Sequence, residues 1–344
     1  MNLAIAGLIA PLLLPFAAQA EEVTLTVGTN ENAELFGIDQ NSLQGHLQGA
    51  TSEDLHVVDQ GPFLGAMANA GSLAARGMGV DYATNPKKFV LGASFGSAVY
   101  DDGTSLSNED EGLPEAGFGT QASVMAGINL GVFNGKDTFA DRMMLYGHFL
   151  SLATPRVGEF DGHATQAGGH LQMKLVPKLG IGVAEFGGLD FTTGVEFTRY
   201  TLGLSEQLAF DTPGGDEATV TWRTDGSFTV TTTGLTIPLE ASTNVRLLFL
   251  TVFGGAALDL HPLNTGSSNA SLSGNLVATS DLIADETHIG EAALSITADG
   301  RGLPVTPRVF VGPQVNLWAV RAYMQLNVGL TGGFGLHAGA RIAL

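Results

Sequence analysis

Three histidines, three carboxylates and three arginines are the side chains of this sequence best placed to do chemistry. Read with the period of a β-strand, in which alternate residues share a face, His148, His170 and His337 fall on polar faces, as do Asp190, Glu196, Glu240, Arg308, Arg321 and Arg341. Imidazole and carboxylate are zinc-type ligands, and a serine beside a histidine is the start of a hydrolase site. The spacing supports neither. Each histidine lies in a different segment without a second ligand two residues along, and in Gly147-His148-Phe149-Leu150-Ser151 the histidine and serine stand three apart, on opposite faces. No bound metal, no cofactor and no enzymatic activity are expected.

The charged residues point to a different use. Asp190 and Glu196 fall on a fifth strand and Glu240 on a sixth, whereas Arg308, Arg321 and Arg341 fall on the last three. In a ring of about twelve strands the two sets stand roughly half a circumference apart. Opposed walls of charge would set a transverse field across a pore, as charged rings do in channels. The same residues could instead pair with one another or with an internal plug and close the lumen, because unpaired charge in a narrow dry space is costly. Either way they face the lumen. The acidic run Asp101 to Glu111 lacks the alternating oxygen ligands, central glycine and closing glutamate of a calcium loop, and reads as a solvated outer loop.

Composition narrows the class. Among 344 residues, 34 acidic against 15 basic side chains leave a net charge of −19, which excludes a general nucleic-acid binder, since that needs a basic face. Only 14% of residues are charged and the mean hydropathy is +0.20, too apolar for a disordered acidic chain. The 47 glycines follow no collagen period and sit inside apolar runs. With no cysteine, disulfides, thiolate metal sites and thiol nucleophiles are absent.

What positions the charged residues is a succession of long alternating segments. Residues 1–20 read as a secretory signal, apolar from Leu3 to Ala17 and closing on Ala18-Gln19-Ala20, the small-x-small form of a cleavage site at Ala18 and Ala20. From Phe89 on, the chain alternates with period two: Phe89, Leu91, Ala93 and Phe95 on one face, Gly92, Ser94 and Gly96 on the other. Such segments fall at about 89–100, 118–133, 142–154, 164–176, 187–203, 227–243, 246–260, 268–278, 289–298, 304–317, 319–331 and 334–344. Many run to about ten residues or more, the length a tilted strand needs to cross a bilayer, and long acidic connections alternate with short turns. The expected fold is an all-β, antiparallel transmembrane β-barrel of about twelve strands, within a range of ten to fourteen. The eighth and ninth segments are the weakest; removing both leaves ten and keeps the count even. The final segment, Phe334 to Leu344, resembles the C-terminal recognition strand of bacterial outer-membrane barrels. That resemblance implies the bacterial outer membrane as location, its lipid as surroundings, and the barrel-assembly machinery as a partner of the last strand.

Residues 21–88 differ, and from Gly61 to Gly77 they are rich in Ala, Met and Leu; they are expected to form a plug or periplasmic segment ahead of a barrel spanning 89–344. Within them Ala70-Gly71-Ser72-Leu73-Ala74-Ala75-Arg76-Gly77-Met78-Gly79, followed by Tyr82-Ala83-Thr84-Asn85-Pro86, resembles the start of FadL-type outer-membrane transporters. The resemblance implies a hatch containing Arg76, Met78, Asn85 and Pro86, and passive diffusion of small hydrophobic or amphipathic molecules past it. The alternative is a surface-exposed binding or structural barrel with a filled lumen that transports nothing.

Overall fold

The computed structural model describes residues 22–54, 60–83, 88–101, 116–134, 138–181, 183–213, 218–280, 283 and 285–344. The signal with Ala18 and Ala20, the pair Asn85-Pro86 and most of the acidic run after Asp101 lie outside the described residues.

Thirteen strands form one antiparallel sheet: β1 (Glu22–Thr29), β2 (Phe89–Tyr100), β3 (Gly117–Asn129), β4 (Met143–Val157), β5 (Phe160–Val176), β6 (Leu179–Ile181), β7 (Ala184–Pro213), β8 (Ala218–Leu247), β9 (Leu250–Ser280), β10 (Thr287–Arg301), β11 (Val305–Leu317), β12 (Val320–Gly329) and β13 (Phe334–Ala343). Ten of them close into a ring, β2-β3-β4-β5-β7-β8-β9-β11-β12-β13, sealed where β13 pairs with β2 from Phe334↔Val99 to Ala343↔Val90. Closure pairs the first and last strands of the ring, whose backbone groups would find no water in hydrocarbon; among the described residues the seam between β3 and β4 is paired over part of its length. Outward side chains such as Leu91, Phe95, Val124, Phe149, Val195 and Leu336 are exposed and form the lipid-facing belt. The chain is thus an outer-membrane-type β-barrel. Among the described residues no helix is long and apolar enough to cross a membrane.

The ring holds ten strands rather than twelve because β7, β8 and β9 run to 30, 30 and 31 residues, about three times what a bilayer crossing needs. Segments 246–260 and 268–278 are one strand, β9, and segment 289–298 is β10, which pairs with the upper part of β9 outside the ring. The overhanging ends of β7, β8 and β9, extended by β10 and β1, build a five-stranded lobe beyond the barrel rim.

Along β8 the alternation never stops, but its polarity inverts. In the lobe the inner face carries Val220, Trp222, Phe228 and Val230 and the outer face Thr221, Arg223, Asp225 and Ser227; in the barrel the inner face carries Thr236, Glu240, Ser242 and Asn244 and the outer face Leu235, Ile237, Leu239 and Val245. A register shift between Leu235 and Ile237 marks the change. The cause is the solvent outside the sheet: water around the lobe, hydrocarbon around the barrel.

The apolar inner face of the lobe is covered by α1 (Glu31–Leu35) and α2 (Gln40–Asp54), whose Ala33, Leu43 and Leu47 pack against Trp222, Leu276 and Ile296. Gln40 Nε2 donates to the Val27 carbonyl at 2.7 Å, tying α2 to β1. A third helix, α3 (Gly61–Ala74), carries Pro62 in its first turn and is almost wholly buried in the barrel. It contains no charged residue, and its small side chains let it lie directly on the wall: a Cβ at Gly119 would come within 2.7 Å of the Gly71 Cα. The chain then continues to Asp81 and Tyr82, both buried in the lumen. Leu344 pairs with Lys88 and Phe89 at one end of the barrel, and the tight turns at Leu248 and Trp318 share that end. The lobe, with residues 22–54, stands at the opposite end.

Candidate functional site

The sequence places one set of charges on the wall; the fold brings a second set to meet it on the segment after α3. Arg76 Nη2 lies 2.6 Å from Glu196 Oε2, and Arg76 Nε donates to the Ser72 carbonyl at 2.8 Å. Asp81 bridges two arginines, accepting from Arg321 Nη1 at 2.9 Å and Arg341 Nη1 at 2.8 Å, and Arg341 also lies over the Tyr323 ring, 3.8 Å from its centroid. The Tyr82 hydroxyl donates to Glu240 Oε2 at 2.6 Å. Arg308 contacts the other oxygen of Glu240, donates to Asp259 Oδ2 at 2.7 Å and to Asn327 Oδ1 at 2.9 Å. Asp190 pairs with Lys174 at 2.9 Å.

Among these lumenal ion pairs, Arg76, Lys174, Arg308, Arg321 and Arg341 face Asp81, Asp190, Glu196, Glu240 and Asp259, so five cations balance five anions. The acidic surplus of the chain therefore sits outside this network. The opposed walls expected from a ring of twelve do not form. Glu240 and Arg308 stand on β8 and β11, separated by β9 alone, and meet directly. Met78 is buried beside Gly96 of the wall.

Neutral groups complete the seal. Asn264 Nδ2 donates to Asn69 Oδ1 at 2.9 Å, Ser72 Oγ to Asn264 Oδ1 at 3.2 Å, and Asn244 Nδ2 to the Tyr82 carbonyl at 3.1 Å. The segment from Gly61 to Ala83 is thus held by the wall strands around it and, among the described residues, occupies the lumen. The residues that sequence reasoning missed here are Asp81, Tyr82, Asp259 and Asn264. Asp81 carried a usable signal, as the lone acid in a Gly- and Met-rich run; the others are ordinary polar members of alternating strands.

A second feature lies in the wall. β3 pairs with β4 only from Val124↔Phe149 to Asn129↔Met144. Above that seam the two strands part and overlap, so that Phe95, Thr120 and Ala122 on the outer face of β2 and β3 look onto Leu152, Ala164, Tyr200 and Leu202 of β4, β5 and β7. Tyr200 and Thr120 face each other across the overlap. Between the layers is a recess of about 320 Å³, mostly apolar, with Thr120, Gln121, Asp161, His163 and Tyr200 as its polar members. The parting of β3 and β4 has no counterpart in the alternation pattern, which is intact through both.

Of the three predicted histidines, His148 and His170 come together beside Glu196, their ring centroids 5.3 Å apart. His337 stays separate, its Nδ1 2.9 Å from Asn327 Nδ2.

Comparison with solved structures returns outer-membrane barrels. The translocator domain of the autotransporter NalP from Neisseria meningitidis is 12% identical, with 89% of this chain and 98% of that one covered and a TM-score of 0.29. The toluene transporter TbuX from Ralstonia pickettii is 9% identical, with 79% and 98% covered and a TM-score of 0.27. A FadL homologue from Pseudomonas aeruginosa is 10% identical, with 81% and 97% covered and a TM-score of 0.23. No curated protein matches the sequence. Residues 26–344 match the family described as Lsa36-like, and the chain belongs to that family.

Proposed function

We propose that this barrel passes small hydrophobic or amphipathic molecules passively between the aqueous exterior and the membrane, through the recess in its wall rather than straight through its lumen. The observation that carries this reading is the parted β3–β4 seam, with its cavity of about 320 Å³ lined by Phe95, Ala122, Leu152 and Leu202. That volume falls within the lower range of small-molecule pockets, which are mostly apolar with a few polar groups to orient the ligand. In this reading residues 1–20 are the export signal, 21–88 the N-terminal plug segment, of which Gly61 to Ala83 fills the lumen, and 89–344 the barrel, whose last strand is presented to the assembly machinery. Asp190, Glu196, Glu240, Arg308, Arg321 and Arg341 then act by holding the plug, not by selecting ions.

The test is uptake of a small apolar fluorophore into vesicles carrying the refolded protein. Ala122→Trp fills the recess and should lower the rate about tenfold or more, a difference of roughly 1.4 kcal/mol in barrier, while the gel mobility of the folded barrel is retained. Equal rates for both proteins would overturn the reading. They would favour the second one, a barrel whose task is to hold up the water-facing lobe as a binding surface, for which the filled lumen and the polar outer face of β8 speak.

A further inference from the structure

We propose that His148, His170 and Glu196 bind a first-row divalent transition ion of the zinc type on the inner wall of the barrel. One ligand atom from each residue lies within 4.8 Å of the others, and all three side chains are buried. They come from three adjacent strands. His148 stands opposite Gly168, and Gly168 opposite Glu196, so the row reads histidine, nothing, glutamate; His170 follows two residues along on β5 and turns toward the same point, its Nε2 3.0 Å from Glu196 Oε1. The gap at 168 is required, because a Cβ there would come within 2.5 Å of His148 Cε1. Gly79 of the plug and Gly194 of β7 clear the same space, their notional Cβ atoms falling 2.2 Å from His148 Nδ1 and 2.7 Å from His170 Nδ1.

Two facts point to an ion rather than to a hydrogen-bonded pair. Among the described residues neither nitrogen of His148 has a hydrogen-bond partner, and neither does His170 Nδ1, although both rings are buried. A buried polar group left in that state is costly, whereas two imidazoles and a carboxylate are the donor set of borderline ions, not of calcium or magnesium, which take oxygen. Arg76 occupies Glu196 Oε2 and leaves Oε1 toward the imidazoles, which orients the carboxylate as outer partners do in metal sites. Its positive charge also weakens the site for a cation. Three protein ligands leave a fourth position for water or a solute.

The site lies on the same inner face as the recess: Leu152, Ala164 and Tyr200 are four residues along from His148, Gly168 and Glu196 on the three strands, about 13 Å at the rise of a strand. An ion here would clasp β4, one side of the parted seam, to β5 and β7.

The experiment uses the refolded protein in detergent, stripped with chelator and titrated with Co²⁺, followed by visible absorption and by competition with Zn²⁺. One Co²⁺ per chain is expected, displaced by Zn²⁺, lost in His148→Ala and in His170→Ala, and kept in His337→Ala, which removes a buried histidine outside the cluster. Binding that persists in the His148→Ala and His170→Ala proteins belongs to surface histidines and overturns the proposal, as does no binding to the wild type. Should the alanine variants not fold, Zn²⁺ must raise the unfolding temperature of the wild type and Mg²⁺ leave it unchanged; equal effects sink the site.

Discussion

Arg76 and Glu196 meet at 2.6 Å with side chains only 1% and 2% exposed, a full ion pair between a segment that threads the barrel and the wall it threads. Removing one partner strands the other in a dry lumen. Arg76→Met is therefore expected to cost about 3–5 kcal/mol, read as a lowered temperature for the shift from folded to unfolded gel mobility. Adding Glu196→Gln should recover most of that loss, because the stranded charge is gone. A double variant as unstable as the single one would show that Arg76 acts through its packing instead.

The inversion of polarity along β8 gives a position-dependent prediction on one face of one strand. Leu239→Arg puts a charge against hydrocarbon and should cost roughly 2–4 kcal/mol. Thr231→Arg, eight residues away on the same outer face, should cost under about 0.5 kcal/mol, as surface changes do. Urea unfolding from lipid vesicles measures both, and equal losses would place the water boundary elsewhere.

On the lobe, Glu286 holds a bidentate contact to Arg223, Oε2 accepting from Nη1 at 2.8 Å. The hydrogen bond and then the charge of Arg223 hold the Glu286 carboxyl below the ordinary glutamate range. A depressed value means that the contact contributes at and above the ordinary pKa of about 4.3 and is lost only as pH falls through the lower folded value. A carbon-13 titration of labelled glutamate should show the Glu286 side chain protonating late as the pH falls. Arg223→Gln should return it to the common value; no change in that variant would mean that another group sets the shift.

Residues 22–54 and Leu344 lie at opposite ends of the barrel. A short epitope inserted at Gly37, a glycine with φ of 65° between α1 and α2, should be labelled by antibody on intact cells, whereas one appended after Leu344 should require permeabilised cells. The reverse pattern would invert the orientation.

The barrel was legible because its alternation is long and its outward positions are apolar over the stretch that meets lipid, as in Phe89 to Phe95 and Phe334 to Leu344. The lobe was not, for a reason visible in β9. Its inner face runs from Phe253 and Asp259 to Leu272 and Leu276, so the residues between look like a break in the pattern although the backbone continues. Reading each segment as a separate crossing turned one strand into two and placed β10 in the wall. The ring thereby gained a pair of strands, which set Glu240 and Arg308 too far apart. The partner of each lumenal charge was illegible for a different reason: Asp81 and Arg76 belong to a segment without periodicity, and only the three-dimensional path of that segment decides which strand each one meets.

The segment from Gly61 to Ala83 is continuous at one end with α2 in the lobe and at the other with β2 in the wall. It is therefore a thread through a closed loop and not a stopper that could drop in from either side. While the β2–β13 seam is open, the sheet is a trough in which the segment can be laid; once the seam closes, the segment can leave only if residues 22–54 unfold and are drawn through. Closure of that seam is accordingly the step that fixes the topology.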